Sequence, residues 1–120
     1  MRIFKNKWFV RFSAAAGIED ADLLKAIEDA QKGLIDADLG GGVIKQRIAR
    51  DGQGASGGFR TIVIYQHGRR AFFVFGFAKS RKANIKDEEL KQFKKIAKMM
   101  FALSDKEIDA MVTAKSLTEI

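Results

Sequence analysis

The sequence predicts an α+β fold, because helical patterns lie towards both ends of the chain and strand patterns lie between them. The strongest strand signal runs through residues 57–79, where two apolar segments are separated by a turn sequence at residues 67–69. The second segment, residues 71–78, is apolar at almost every position, so we expect it inside the sheet and antiparallel to the first. A chain of 120 residues is long enough for one domain with a real core.

Two helices are predicted near the N-terminus. Residues 1–5 are compatible with a short strand, and residues 6–16 carry apolar side chains at helical spacing. A strand is the alternative for this second segment, because tryptophan, phenylalanine and valine favour strands. The next helix is expected to be capped by Asp20 or Asp22 and to end at Gly33, where a glycine commonly terminates a helix.

The middle of the chain is rich in glycine. We expect residues 36–42 to form a loop, since the two aspartates lack further ligands at calcium-loop spacing and the glycines lack the lysine of a phosphate loop. Residues 43–50 alternate as a strand, which places Lys45 and Arg47 on one face. Residues 51–58 are a glycine-rich connection to the following strand.

The C-terminal part is predicted to be helical. Asn84 can cap a helix that runs to about residue 102, and Ser104 with Glu107 forms a capping box for a last short helix. Residues 117–120 are expected either to fold back as a strand or to fray. The outer face of the longer helix is basic and carries Lys91, Lys94, Lys95 and Lys98.

The positive charge is concentrated in the central segment. The chain contains 22 Lys and Arg residues against 15 Asp and Glu residues, a formal net charge of +7. Between residues 40 and 82 the only acidic residue is Asp51, whereas nine residues are basic: Lys45, Arg47, Arg50, Arg60, Arg69, Arg70, Lys79, Arg81 and Lys82. Such segregation indicates a polyanion as the binding partner.

Composition excludes several kinds of site. The absence of cysteine rules out disulfides and thiolate metal sites, and a single histidine rules out a multi-histidine metal site. We therefore expect no cofactor. Since no apolar run is long enough to span a membrane and no signal-peptide pattern is visible, we expect a cytoplasmic protein.

The remaining chemistry is that of cations acting on RNA. The sole histidine, His67, lies in the predicted turn with no serine and acid around it, so a hydrolytic triad cannot be built. RNA supplies its own nucleophile, the 2′-hydroxyl, and cations that neutralise the reacting phosphate can promote its cleavage. We expect five basic residues to converge on one phosphate: Lys45, Arg47, Arg60, Lys79 and Arg81. Tyr65 and the phenylalanines of the second strand offer stacking surfaces for bases.

Several blocks of the sequence resemble a known family. Residues 34–50 (LIDADLGGGVIKQRIAR), 56–61 (SGGFRT) and 72–79 (FFVFGFAK) are similar to RelE/HigB-type toxins of bacterial type II toxin–antitoxin modules, within the RelE/ParE superfamily. The resemblance implies N-terminal helices packed on a small antiparallel sheet with C-terminal helices. It also implies an mRNA interferase, an endoribonuclease that acts on messenger RNA in the ribosomal A site and so inhibits translation. The implied partner is a cognate antitoxin, often a helix-turn-helix protein.

The resemblance also implies which residues act. The catalytic candidates are Lys45, Arg47, Arg60 and Lys79. The candidates for RNA binding, which combine the weaker matches with the other central cations, are Arg50, Tyr65, Arg69, Arg70, Arg81 and Lys82.

Two positions depart from the family pattern. Ala55 stands where lysine is common, and Phe59 stands where tyrosine is frequent. The sequence leaves open whether Ala55 is natural or engineered, and whether activity is weakened, redistributed or lost. Two other functions therefore remain open: a ParE-like toxin that inhibits gyrase, and a catalytically silent module that only binds an antitoxin.

Overall fold

A computed structural model describes residues 1–50 and 54–120, with the side chains of residue 50 and residues 54–57 also outside the description. The described part combines helices and strands as the predicted α+β class requires. Its elements, in chain order, are β1 (Arg2–Asn6), α1 (Lys7–Ala16), α2 (Asp20–Gln31), β2 (Ala37–Gly40), β3 (Val43–Arg50), β4 (Gly54–Gln66), β5 (Arg70–Ala78), α3 (Asp87–Phe101), α4 (Asp105–Thr113) and β6 (Leu117–Glu119). None of the helices in the described part has the length and apolar character needed to cross a membrane.

The strands form one mixed sheet in the order β2-β3-β4-β5-β1-β6. β5 lies between β4 and β1 and is antiparallel to β4, which confirms the predicted interior hairpin. The expectation of an antiparallel sheet is wrong at one place, because β1 pairs parallel to β5, with Phe4 opposite Phe72. The C-terminal residues form β6 on the outer edge of β1 and do not fray.

Helices cover both faces of the sheet. One cluster of buried side chains joins α1 and α2 to the first face, and its members include Phe9, Leu23, Ile27, Ile44, Val63 and Phe73. A second cluster joins α3 and α4 to the opposite face, and its members include Val43, Ile62, Ile64, Phe72, Met100 and Ile108. Because successive strand residues point to opposite faces, each central strand contributes to both clusters.

Helix boundaries follow local capping. The Asn6 side chain accepts a hydrogen bond from the Phe9 N–H at 2.8 Å and begins α1, whose helical prediction is confirmed. The N-cap of α2 is Glu19, and the predicted Asp22 takes part in the capping as the third helical residue, where its side chain accepts a hydrogen bond from the Glu19 N–H. α3 begins at Asp87, later than predicted, and its N-cap is Lys86. The predicted cap, Asn84, accepts a hydrogen bond from the adjacent Ile85 N–H instead.

The segment predicted to be a loop contains a strand. Residues 37–40 are β2, which forms a hairpin with β3. Gly41 and Gly42 have φ values of +63° and +82°, and two consecutive positive values define the tight turn that suits a two-residue hairpin. A Cβ atom on Gly42 would also collide with the ring of Phe101. Both the positive φ and the lack of space for a side chain therefore require glycine at this position. The predicted capping box of Ser104 and Glu107 is present and opens α4.

Candidate active site

The register between β3 and β4 brings basic side chains together. Arg47 lies directly opposite Arg60, and Lys45 lies opposite Ile62, two residues further along the strand. All three cations are on the sheet face that α3 covers, since Val43 and Ile62 belong to the core on that face. The predicted shared face of Lys45 and Arg47 is therefore confirmed, and Arg60 joins them.

The three cations surround one carboxylate. Arg47 Nε donates to Asp36 Oδ1 at 2.9 Å. The other oxygen, Oδ2, lies 3.6 Å from Arg60 Nε and 4.0 Å from Lys45 Nζ. We call these four residues the Asp36 cluster. Its formal charge is +2, three cations against one carboxylate, so in the described part of the chain Asp36 does not neutralise them.

The Asp36 cluster is largely removed from water. The side chain of Arg60 is 5% exposed, and those of Asp36 and Lys45 are each 16% exposed. Arg47 is half-exposed and forms the outer edge of the cluster. Charges in such a setting interact more strongly than charges in water, because solvent screens them less.

Asp36 is held from the other side of the sheet by Gln46. This glutamine is buried, and its Oε1 accepts a hydrogen bond from the Asp36 N–H at 2.9 Å. Its Nε2 donates to the carbonyl of Ala26 in α2 and to the carbonyl of Leu34. Gln46 therefore ties α2 and the segment before β2 to β3, and this connection determines where the carboxylate of Asp36 lies.

Other candidate cations lie at the same end of the sheet without joining the cluster. Lys79 and Arg81 are exposed in the turn that follows β5, and the Lys79 N–H donates to the Gly58 carbonyl at 3.3 Å. Lys82 forms an ion pair with Glu89 at 2.8 Å and lies 6.0 Å from the ring centroid of Phe75. This pairing lowers the pKa of Glu89, chiefly through the hydrogen bond from Lys82.

Three further candidates lie at the opposite end of β4. Arg70 is opposite Gln66, six residues beyond Arg60, which corresponds to roughly 20 Å at the rise of a strand. Its guanidinium is buried and donates to the Leu103 carbonyl at 2.7 Å and to Asp105 at 2.6 Å, so it ties β5 to the start of α4. Arg69, beside it, is exposed.

Tyr65 is also distant from the Asp36 cluster. It belongs to the core that α1 and α2 cover, and its hydroxyl lies 3.0 Å from His67 Nδ1. Burial raises the pKa of the hydroxyl. The ring packs in the core, and the stacking of RNA bases on Tyr65 stays a prediction. The candidate Arg50 and the departure at Ala55 lie outside the described side chains.

Sequence reasoning missed the anionic part of the site. Asp36 was considered only as a metal ligand together with Asp38, whereas Asp38 accepts a hydrogen bond from the Gly40 N–H. In the residues that the structure describes, no group of three histidine, cysteine or acidic side chains could hold a metal ion. Asn84, 3.4 Å from Lys45 Nζ, is a second missed contact. Gln46, a polar residue on the strand face that also carries Ile44 and Ile48, was the available signal for a buried connection.

The fold and the Asp36 cluster can be set beside known proteins. A family model described as "RelE toxin of RelE / RelB toxin-antitoxin system" matches residues 1–120, the whole chain. No curated protein and no solved structure matches the chain. Membership of this family implies an antitoxin as the partner. With a match over its full length, the chain belongs to the RelE family of toxins from toxin–antitoxin systems.

Proposed function

We propose that this toxin is a ribosome-dependent endoribonuclease that cleaves messenger RNA and thereby inhibits translation. The Asp36 cluster is the observation that carries the proposal. It gathers Lys45, Arg47 and Arg60 within 4.0 Å of one carboxylate and keeps an excess of positive charge among the described residues. An excess of fixed cations on a rigid sheet suits the charge that develops on a phosphate during cleavage.

In the proposed cleavage reaction the RNA supplies the nucleophile, and the other requirement is proton transfer to and from its oxygens. The 2′-hydroxyl oxygen attacks the adjacent phosphorus while the bond from phosphorus to the 5′ oxygen breaks. The products are a 2′,3′-cyclic phosphate and a 5′-hydroxyl. Arg47 and Arg60 bind the non-bridging oxygens, where a guanidinium fork fits the phosphate geometry. An ammonium group of Lys45 or Lys79 gives a proton to the leaving 5′ oxygen, and water accepts the proton of the 2′-hydroxyl.

The surrounding surface would hold the message. Lys79 and Arg81 are exposed beside the strand end that carries Arg60, where they can contact phosphates on either side of the cleaved bond. Arg69 lies at the other end of the sheet and would add only general attraction to RNA. We leave Arg70 and Tyr65 out of the proposed RNA surface, because their side chains make contacts inside the protein. The ribosome, in the cytoplasm, would supply the in-line geometry of the message.

The antitoxin would act by covering these cations. A helix-turn-helix protein with an acidic segment could occupy the Asp36 cluster and the neighbouring Lys79 and Arg81, since complementary charge gives fast and specific association. Neutralisation of this surface would prevent phosphate binding.

Expression in a bacterial host tests the proposal. We expect growth arrest with cleaved reporter messages, mapped by primer extension, and cleavage by purified toxin only when ribosomes are present. DNA damage and altered supercoiling with intact messages would reject the nuclease in favour of a gyrase inhibitor. Normal growth of the parent together with toxicity of Ala55→Lys would show that the present chain is a silent variant.

A further inference from the structure

The Asp36 cluster contains an acid at the place where an anionic substrate would be expected. We propose that Asp36 is a positioning residue, which fixes Arg47 and Arg60 for catalysis and at the same time weakens the binding of RNA. This inference rests on the proposed nuclease function. It concerns a residue that contacts the cations and does not itself take part in bond breaking.

Both carboxylate oxygens are engaged. Oδ1 accepts the hydrogen bond of Arg47 at 2.9 Å, and Oδ2 faces Arg60 and Lys45 at 3.6 and 4.0 Å. Three cations that gather in a poorly solvated place repel each other, and the repulsion is screened only weakly there. A carboxylate between them offsets this repulsion before any RNA arrives, so the guanidinium groups are already oriented when the phosphate binds.

The placement of Asp36 is itself rigid. Buried Gln46 accepts from the Asp36 N–H on the opposite side of the sheet, and its amide donates to two backbone carbonyls. An acid that only paired with a surface cation would need no such support. Rigid support behind a charged group is what an arrangement of fixed dipoles and charges for catalysis requires.

The charge balance predicts opposite effects on binding and on chemistry. With Asp36 the four residues of the cluster carry a formal charge of +2. Without the carboxylate the cluster would carry +3 and attract every phosphate more strongly. The guanidinium groups would then lose their common anchor, and the chemical step would slow.

The experiment compares Asp36→Asn with Asp38→Asn. The control removes the same charge two residues away, from an exposed aspartate whose oxygen accepts from the Gly40 N–H, as an asparagine oxygen also can. Binding is measured to ribosomes that carry a message with a 2′-O-methyl group at the cleavage site, which blocks attack. We expect Asp36→Asn to bind about threefold more tightly than the control. Single-turnover cleavage should be at least about tenfold slower than in the control.

Two further readouts separate positioning from general damage. Asp36→Glu, which keeps the charge, should recover part of the lost rate. The NMR signals of the Arg47 and Arg60 Nε–H groups should shift in Asp36→Asn and stay unchanged in Asp38→Asn. A cleavage rate of Asp36→Asn equal to that of the control, or a weakened affinity beside the slow rate, would overturn the inference. If the wild-type protein cleaves no message and the arginine signals still shift, the nuclease function fails and the anchoring of the arginines by Asp36 stands.

Discussion

The two ends of the β4–β5 hairpin each bury an arginine, and the two arginines have different surroundings. At one end Arg60 shares Asp36 with two other cations. At the turn end Arg70 donates to the Leu103 carbonyl and to Asp105, which ties β5 to the start of α4. Burial alone therefore does not distinguish the roles of these side chains.

The balance of acids distinguishes the two ends. We call Arg2, Arg70, Asp105, Asp109 and Glu119 the Arg70 network. Arg2 donates to Glu119 at 2.9 and 3.0 Å and to Asp109 at 2.7 Å, so two cations meet three carboxylates. The Asp36 cluster has three cations and one carboxylate. In the described part of the chain, the Arg70 network therefore has more carboxylates than cations, whereas the Asp36 cluster has more cations than carboxylates.

The comparison predicts that Arg60 affects catalysis most strongly. Arg60→Gln should lower message cleavage about 100-fold, because a fixed donor for the developing charge is removed while Lys45 and Arg47 still pair with Asp36. The measurement is the single-turnover rate on ribosome-bound message, normalised to folded protein. Arg60→Lys should recover only part of the rate, since lysine lacks the guanidinium fork.

Arg11→Gln is the matched control, because it removes the same charge from an exposed position on α1. It should cleave at the rate of the wild-type protein. A folded Arg60→Gln protein that cleaves within threefold of this control would break the distinction between the two ends.

Replacement of Arg70 is expected to lower the stability of the protein without lowering its cleavage rate. Arg70→Met removes two short hydrogen bonds and leaves the Leu103 carbonyl without its donor. The free energy of unfolding should fall by about 2–3 kcal/mol, measured by urea denaturation. Cleavage per folded molecule should be unchanged.

Arg69→Met serves as the control for this change, since it replaces the exposed neighbour. Its effect on the free energy of unfolding should stay within about 0.5 kcal/mol. If Arg70→Met were as stable as the control and cleaved slowly, the turn end of the hairpin would belong to the active site.

Much of the fold was predictable from local patterns. Apolar spacing identified the helices, and the unbroken apolar run of β5 placed it inside the sheet. The capping pair of Ser104 and Glu107 located the start of α4. The parallel pairing of β1 with β5 was missed, because it joins segments about 70 residues apart and leaves no local pattern. β2 was missed because glycine and aspartate disfavour strands in isolation, whereas pairing with β3 outweighs that preference.

The sequence predicted the basic residues of the candidate site, but it did not predict that the carboxylate of Asp36 lies among them. Alternation placed Lys45 and Arg47 on one face, but only the register of β3 with β4 brings Arg60 beside them. Asp36 precedes this hairpin and reaches the cations through the support of Gln46, a contact across the sheet that no spacing rule contains. The partner of Arg70 could not be predicted either, because Asp105 lies 35 residues away.

The smallest expected effect concerns the acid sensitivity of the Arg70 network. The pKa of Asp105 is lowered from its ordinary value of 3.8, first by the hydrogen bond from Arg70 and then by the charges of Arg70, Arg2 and Arg69. A carboxyl whose pKa is lower in the folded state than in the unfolded state stabilises the protein above the unfolded value. That stabilisation is lost as the pH falls through the folded value.

Asp105→Asn should therefore be less stable than the wild-type protein by a constant amount from pH 7 to about pH 5, and the difference should shrink below pH 3.8. Urea unfolding midpoints between pH 7 and pH 2.5 measure it. Asp87→Asn is the control, because Asp87 holds the corresponding first position of α3 and no ion pair of Asp87 is found among the described residues. The ion pair with Arg70 is kept in this control, so the comparison isolates the effect of losing that pair. A gap between Asp105→Asn and the wild-type protein that widens in acid would mean that Arg70 does not hold Asp105 ionised, and the contrast between a neutralised and a charged end of the hairpin would then lose its basis.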